Sequence, residues 1–364
     1  LKPVIVLQYL SLIHYRRSVF DLIFKDGRLD FKIICGKDSP YSAMKNYVPA
    51  SNQDVTFIEN VKLLGTKLLL QRKIVSVTSQ KKPDVVILLG VNPLILSSLY
   101  SALYFSLVKK TKVFWWGHGT LGRQGWVGKL FRKQFYKLSD GILVYGEGGK
   151  ANLIANGIRP EKIHVVNNCL NEEDYGFDHS LGRSRGKFNI LFSGRLTVAK
   201  RVDELVELGC TLKRKAIDFQ IDILGVGPDL ERVRGMIRAL KLEEFVVLHG
   251  AKYGVEAHDI FSKATLFVHP GPIGLSVIHA LSFGLPVITS NDGGRLKPEV
   301  EAITDGVNGS FYAVGDLESL VLRTLEWKEK IEADRSGIIH VCQTSVAKYT
   351  PKVIADNIIS VVTN

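Results

Sequence analysis

Residues 188–201, FNILFSGRLTVAKR, and residues 267–289, FVHPGPIGLSVIHALSFGLPVIT, are built alike. Each opens on a short apolar run, breaks at a glycine-bearing turn and passes into helical spacing. In the first, a strand ends at Ser193, Gly194 opens the turn, and Arg195 and Lys200 follow before a helix. In the second, a strand runs into Pro270-Gly271-Pro272-Ile273-Gly274, a helix follows, and Gly284 precedes another strand at Val287–Thr289. Strand, turn, helix and strand in succession is the unit of a parallel sheet.

The same rhythm extends in both directions. Toward the amino terminus it predicts strands at Val4–Leu7, Phe31–Cys35, Val85–Leu89, Lys112–Trp116, Ile142–Tyr145 and Ile163–Val166. A helix is expected over Pro93–Val108, capped by Asn92, and another over Glu147–Asn156, stopping at Gly157. In the second half strands fall at Asn189–Phe192, Gln220–Leu224, Val246–Leu248 and Leu266–Val268. Between the halves, residues 171–187 lose periodicity and gather charge, glycine and serine, which marks a linker. The chain thus reads as a doubly wound α/β domain over 1–170, a second over 188–348, and a closing helix over 349–364 that could pack back on the first. A length of 364 residues suits two domains. Ligands of open parallel sheets lie beyond the carboxyl ends of the strands. Two such domains predict a cleft between facing strand ends.

Charge separates the halves. Residues 1–180 carry +11 of the net +12, which points to an anionic partner such as a membrane surface or a phosphorylated ligand. Cys35, Cys169, Cys210 and Cys342 are far apart, which excludes a thioredoxin pair or zinc knuckle and fits a reducing cytosol. After Lys2 only a short apolar run follows, so no secretory signal is expected. The uncharged stretch 85–108 is broken by Gly90, Asn92 and Pro93, and reads as strand plus helix rather than a span. No RNA- or DNA-binding module is recognisable, so nucleic acid is not expected as a partner.

Two fixed cations beside a glycine turn suit a diphosphate, and the first turn of the helix at Gly274, Leu275 and Ser276 would add free N–H groups. With these two stretches, the runs Ile223–Pro228 (ILGVGP), His249-Gly250-Ala251, Asp305–Gly309 (DGVNG) and Lys162–Asn168 (KIHVVNN) resemble family 4 retaining glycosyltransferases of the GT-B fold. The resemblance implies two Rossmann-like domains facing each other across a cleft. It implies retaining, metal-independent transfer of a sugar from a nucleotide-diphosphate-sugar to a saccharide or lipid-linked saccharide acceptor in surface polysaccharide or glycan synthesis. The protein would be cytoplasmic and peripheral on the membrane. Gly194, Arg195 and Lys200 would hold the diphosphate, with Gly271, Ile273, Gly274, Leu275, Ser276 and His279 around the donor and His249, Gly250, Ala251 and Lys252 along the base. His118, between glycines after the strand Lys112–Trp116, would act beside Arg195 and Lys200 in catalysis. No cofactor or metal is expected, and the chain contains no Asp-x-Asp pair.

The sequence departs from that family twice. A Glu, seven residues and a second Glu become Gly271 and His279, so carboxylate reading of the ribose is lost, though an imidazole can still hydrogen-bond there. The usual glycine-rich first turn becomes His14-Tyr15-Arg16-Arg17, so Tyr15, Arg16 and Arg17 are the expected phosphate or acceptor contacts. The stretch 125–138 predicts a helix with Val127, Leu130, Phe131, Phe135 and Leu138 turned inward and Trp126, Lys129, Arg132 and Lys133 toward an anionic membrane. Two other readings stand beside transfer, a sugar-nucleotide epimerase and a non-catalytic nucleotide-sugar-binding protein.

Overall fold

The computed structural model describes residues 2–38, 47–63, 68–119, 126–176, 187–291 and 297–364. Most of the expected linker (177–186) and the side chain of Trp126 lie outside the described residues. The chain divides into two compact units, Leu1–Asn171 with Thr350–Asn364, and Glu172–Tyr349.

The first unit contains β1 (Val4–Tyr9), β2 (Asp30–Gly36), β3 (Val55–Ile58), β4 (Asn60–Lys62), β5 (Leu69–Gln71), β6 (Val85–Leu89), β7 (Lys112–Gly117), β8 (Gly141–Val144) and β9 (Ile163–Val165). Seven of these form a parallel sheet in the order β3-β2-β1-β6-β7-β8-β9, and β4 with β5 makes a separate antiparallel pair. Its helices are α1 (Arg17–Lys25), α2 (Ile74–Gln80), α3 (Leu96–Leu103), α4 (Trp126–Leu138) and α5 (Glu147–Ala155). The strands are apolar on both faces because helices cover both. Leu99, Ala102, Phe105, Phe135 and Leu153 of the α3, α4 and α5 side pack on Val86, Trp115 and Val144. Val19, Phe20 and Ile23 of α1 pack on the opposite face with Ile5, Ile33 and Trp116.

The second unit contains β10 (Phe188–Ser193), β11 (Phe219–Leu224), β12 (Val246–Gly250), β13 (Leu266–His269), β14 (Val287–Asn291) and β15 (Gly309–Ala313). They form one parallel sheet in the order β12-β11-β10-β13-β14-β15. The helices are α6 (Val202–Arg214), α7 (Leu230–Ala239), α8 (Val255–Lys263), α9 (Ser276–Ser282), α10 (Leu317–Ala333) and α11 (Arg335–Ser345). Then α12 (Pro351–Thr363) returns to the first unit, with Thr350 accepting the Val353 N–H, and buries Ile354, Ile358, Ile359 and Val362 in the cluster that holds α1. All four cysteines are free thiols.

In each sheet the strand order reverses direction once, between β1 and β6 in the first and between β10 and β13 in the second. Chains leaving such a point turn toward opposite faces of the sheet, and ligands of open parallel sheets gather beyond the strand ends there.

The helix expected to begin at Pro93 begins at Leu96 instead. Leu94 O accepts the Leu69 N–H at 2.7 Å and Ile95 bridges Leu69, so the backbone of 94–95 is already used by β5. Asn92 caps only a turn, its Oδ1 accepting the Leu94 N–H at 3.0 Å. The helix then widens into a π-helical segment over Tyr104–Lys109. On α4 the expected inward stripe is mostly turned out. Phe135 is buried edge-on against Trp115, whereas Val127, Leu130, Phe131 and Leu138 are exposed. Only the later turns of α4 lie over the sheet.

Candidate functional site

In the second unit, two loops meet at the reversal point. After β10, the Gly194 N–H donates to Leu224 O at 3.0 Å and Leu196 N–H to Val226 O at 3.1 Å. A side chain at Gly225 would place its Cβ 1.9 Å from Gly194 O, and one at Gly227 2.0 Å from Leu196 O. The two glycines of 223–228 therefore exist to let this turn lie against the Gly194 loop. A 3-10 turn, Val198–Lys200, follows, and Arg201 enters α6 in the left-handed region at φ 49°.

This loop is clamped onto the loop after β13. Lys200 Nζ donates to Pro272 O, and Arg201 Nη2 to Pro270 O and Ser290 Oγ. Arg201 Nε also pairs with Glu204 Oε1 at 3.3 Å. A Cβ on Gly271 would stand 2.4 Å from Ala199 O and 2.5 Å from the Lys200 Cα. That contact is why the expected carboxylate position carries glycine: no glutamate fits there. Beneath the loops His269 is buried, stacked on Phe192 at 4.8 Å, with Nδ1 2.9 Å from Gly271 O. Burial and then the nearby Lys200 charge push its pKa down to about 3, so the ring is neutral and Nδ1 is the donor.

Lys200 is half-buried and its ammonium is held below the usual lysine range, by burial first and by Lys297 second. Lys297 was not foreseen from sequence. Its Cγ lies 3.6 Å from where a Cβ on Gly274 would be, and the buried Glu299 Oε2 lies 3.8 Å from that point. Lys200 and Lys297 thus flank the loop that leads into α9. Arg195 is exposed and makes no hydrogen bond or ion pair among the described residues. Gly274, Leu275 and Ser276 are half-exposed, and the Gly274 carbonyl accepts from Val277 at 2.9 Å. The site therefore holds Lys200, Arg201 and Lys297 at the loop after β13, with one buried carboxylate beside it and the exposed Arg195 on the loop after β10.

Several expected contacts are placed elsewhere. Ile273 is fully buried, so its side chain belongs to the core and faces no ligand. His279 does not project at the open end of α9. Its ring lies on Phe261 at 4.0 Å with Phe283 at 5.3 Å, and its Nε2 is sealed with no hydrogen-bond partner among the described residues. Burial, then His258, lowers its pKa to about 3. His249 turns its Nε2 onto the buried Asp222 Oδ1 at 2.7 Å, where Asn189 and Gln220 also donate, so its ring serves the sheet. Lys252 pairs with Glu256 at 2.9 Å. Gly250, at φ 70° with open space around it, and exposed Ala251 leave backbone accessible beyond β12.

In the first unit, His118 is exposed at the carboxyl end of β7, with its ring edge-on to Tyr145 at 4.9 Å. Gly119, at φ 66°, lies against the start of α5, where any Cβ would reach 2.9 Å from Gly149 O. The three residues expected together after β1 separate. Arg17 is exposed and pairs with Asp21 at 3.5 Å; Tyr15 is half-buried. Arg16 is buried, its guanidinium 4.2 Å from the Trp116 ring centroid and 5.0 Å from that of Tyr145. It acts as a packed cation under the loop rather than an open phosphate contact. Asn171, also unforeseen, fixes this turn by donating to His14 O at 3.0 Å and accepting the Ser18 N–H at 3.2 Å.

The family model for glycosyl transferases group 1 matches residues 177–336. That match lies within the second unit, and the two parallel sheets give the chain the GT-B fold of two Rossmann-like units. Among its curated relatives is the putative colanic acid biosynthesis glycosyltransferase WcaL of Salmonella typhimurium, 25% identical over 59% of this chain and 54% of that protein. A second is the lipopolysaccharide 1,6-galactosyltransferase of Salmonella typhimurium, 26% identical over 66% of this chain and 65% of that protein. The chain thus spans a little over half to about two thirds of these relatives. The Anabaena HepE structure in complex with UDP has a similar fold, with a TM-score of 0.71 at 16% identity over 100% of both chains.

Proposed function

We propose that the protein transfers a sugar from a nucleotide-diphosphate-sugar to a saccharide or lipid-linked saccharide acceptor in surface polysaccharide synthesis, with retention and without a metal. The relatives support the product class, since those named act in colanic acid and lipopolysaccharide synthesis. HepE, which was solved with UDP, supports the donor class. The observation that carries the reading is the pair Lys200 and Lys297 against the Gly271–Gly274 loop, with the exposed Arg195 on the adjoining loop after β10. When the bond from sugar C1 to the diphosphate oxygen breaks, negative charge grows on the leaving diphosphate. Cations already fixed there stabilise that charge without reorganising. The acceptor hydroxyl then bonds to C1 and gives its proton to the departing phosphate oxygen. His118, exposed on the first unit, is assigned to positioning of the reacting sugar or acceptor. A lipid-linked acceptor would hold the protein at a membrane surface.

Incubation with a panel of UDP- and GDP-sugars tests the reading. One donor should raise the melting temperature and release free nucleoside diphosphate when acceptor is supplied. Equal indifference to every donor would overturn it, and interconversion of the donor sugar without release would favour the epimerase.

A further inference from the structure

Helix α3 and its π-helical extension are apolar on both sides. Leu99, Ala102 and Phe105 face the sheet and are buried. Leu96, Tyr100, Leu103 and Leu107, spaced four, three and four apart, face solvent, with Tyr100 and Leu107 each 60% exposed and the adjoining Val108 66%. Water around such a stripe is a standing cost unless something covers it. The stripe continues across a groove of about 780 Å³ to β5, where Leu70 is exposed beside Arg72 and Lys73.

Charge indicates what covers it. Lys109 and Lys110 close one end of the stripe and Arg72 and Lys73 the other, all exposed. Of these four, only Arg72 meets a carboxylate among the described residues, the exposed Glu59 at 3.5 Å. From Asn60 to Ser139 the chain holds 14 lysines and arginines and a single acid, Asp84. The neighbouring α4, on the same side of the sheet, adds exposed Val127, Leu130 and Phe131 with Lys129. A protein partner would have to bring a surface both apolar and acidic. An anionic bilayer presents both, with acyl chains beneath phosphate headgroups. Among the described residues no helix is long and apolar enough to cross a membrane.

We propose that the outer face of α3, its π-helical extension and the β4–β5 pair is a docking surface for an anionic lipid bilayer, seated with Tyr100 and Leu107 in the interface and the lysines at the headgroups. The proposal deepens the reading of a membrane-held acceptor, but its test contains lipid alone, so its failure would leave sugar transfer standing. Cosedimentation is measured with vesicles of phosphatidylcholine, with and without 30% phosphatidylglycerol (~30%, a composition at which anionic headgroups act strongly). The wild type should bind the anionic vesicles at least about tenfold more tightly. Leu107→Glu should lose about tenfold of that binding, and Lys109→Glu with Lys110→Glu a similar amount, while melting temperature and nucleoside diphosphate binding stay unchanged. Absence of wild-type binding, or variants that bind like the wild type, would overturn the proposal. So would a dimer in sedimentation velocity that Leu107→Glu dissociates, because a second copy would then be what covers the face.

Discussion

His279 is the residue at which sequence and structure diverge most. A helix histidine beside a loop with the features of a phosphate site invites a ligand role, yet its ring is sandwiched in a small aromatic cluster with Phe261 and Phe283. Its environment has a consequence in pH. In the unfolded chain a histidine takes up a proton near pH 6.5, whereas the folded His279 and His269 do so only near 3. Between those values the unfolded state binds more protons, so stability is full above about pH 6.5 and falls as the pH drops toward 3. Each ring should cost roughly 2 kcal/mol at pH 5. His279→Phe, which preserves the stack, should reduce the loss of stability between pH 7 and 5 by about that amount in urea titrations. An unchanged slope would place the proton elsewhere. In the function proposed above, Lys200 rather than His279 carries the chemistry. Lys200→Ala should lower kcat/KM by roughly 10²- to 10³-fold, the range for losing one preorganised group aimed at developing charge. Lys200→Arg should recover part of it if charge rather than the Pro272 contact matters.

At the scale of elements, the strands were the most legible part. Val85–Leu89 agrees residue for residue, because a buried β-branched run between turn signals leaves few alternatives. β3 and β15 escaped notice for opposite reasons. β3 is a short edge strand with one buried residue, and β15 opens on Gly309, whose position against Val287 O admits no side chain. The Gly194–Lys200 loop was readable because glycine and cations stand next to one another in sequence. Lys297, Arg201 and Asn171 were not, since their partners lie far along the chain. The rule that ligands gather beyond strand ends would have drawn attention to the segment after β14, and hence to Lys297. The α4 stripe was misread because helical spacing says that a face is apolar without saying what it faces. Close packing between the loops after β10 and β13 gives a further test. Gly271→Ala should destabilise the second unit by about 1–3 kcal/mol, and push Lys200 away, lowering kcat/KM by at least about tenfold. A variant with native melting temperature and activity would mean that the loops do not press together.

At the scale of the whole molecule, the first unit is discontinuous, since its last helix arrives after the entire second unit has been made. Removing residues 350–364 would expose α1 and lose Ile354, Ile358, Ile359 and Val362 from the core. At about 1.5–3 kcal/mol per buried side chain, that is about 6–12 kcal/mol, as large as the stability of a typical domain. Limited proteolysis of the truncated chain should therefore degrade the first unit and spare the second. Equal resistance of both would show that α12 is dispensable.

The grip on a diphosphate is tested most directly by titrating UDP and GDP into the wild type, Lys200→Ala and Lys297→Ala and following the heat. At least one nucleotide should bind the wild type, weaken about tenfold or more in each variant, and bind less tightly as salt rises. Affinity that is the same in all three proteins, or insensitive to salt, would contradict it.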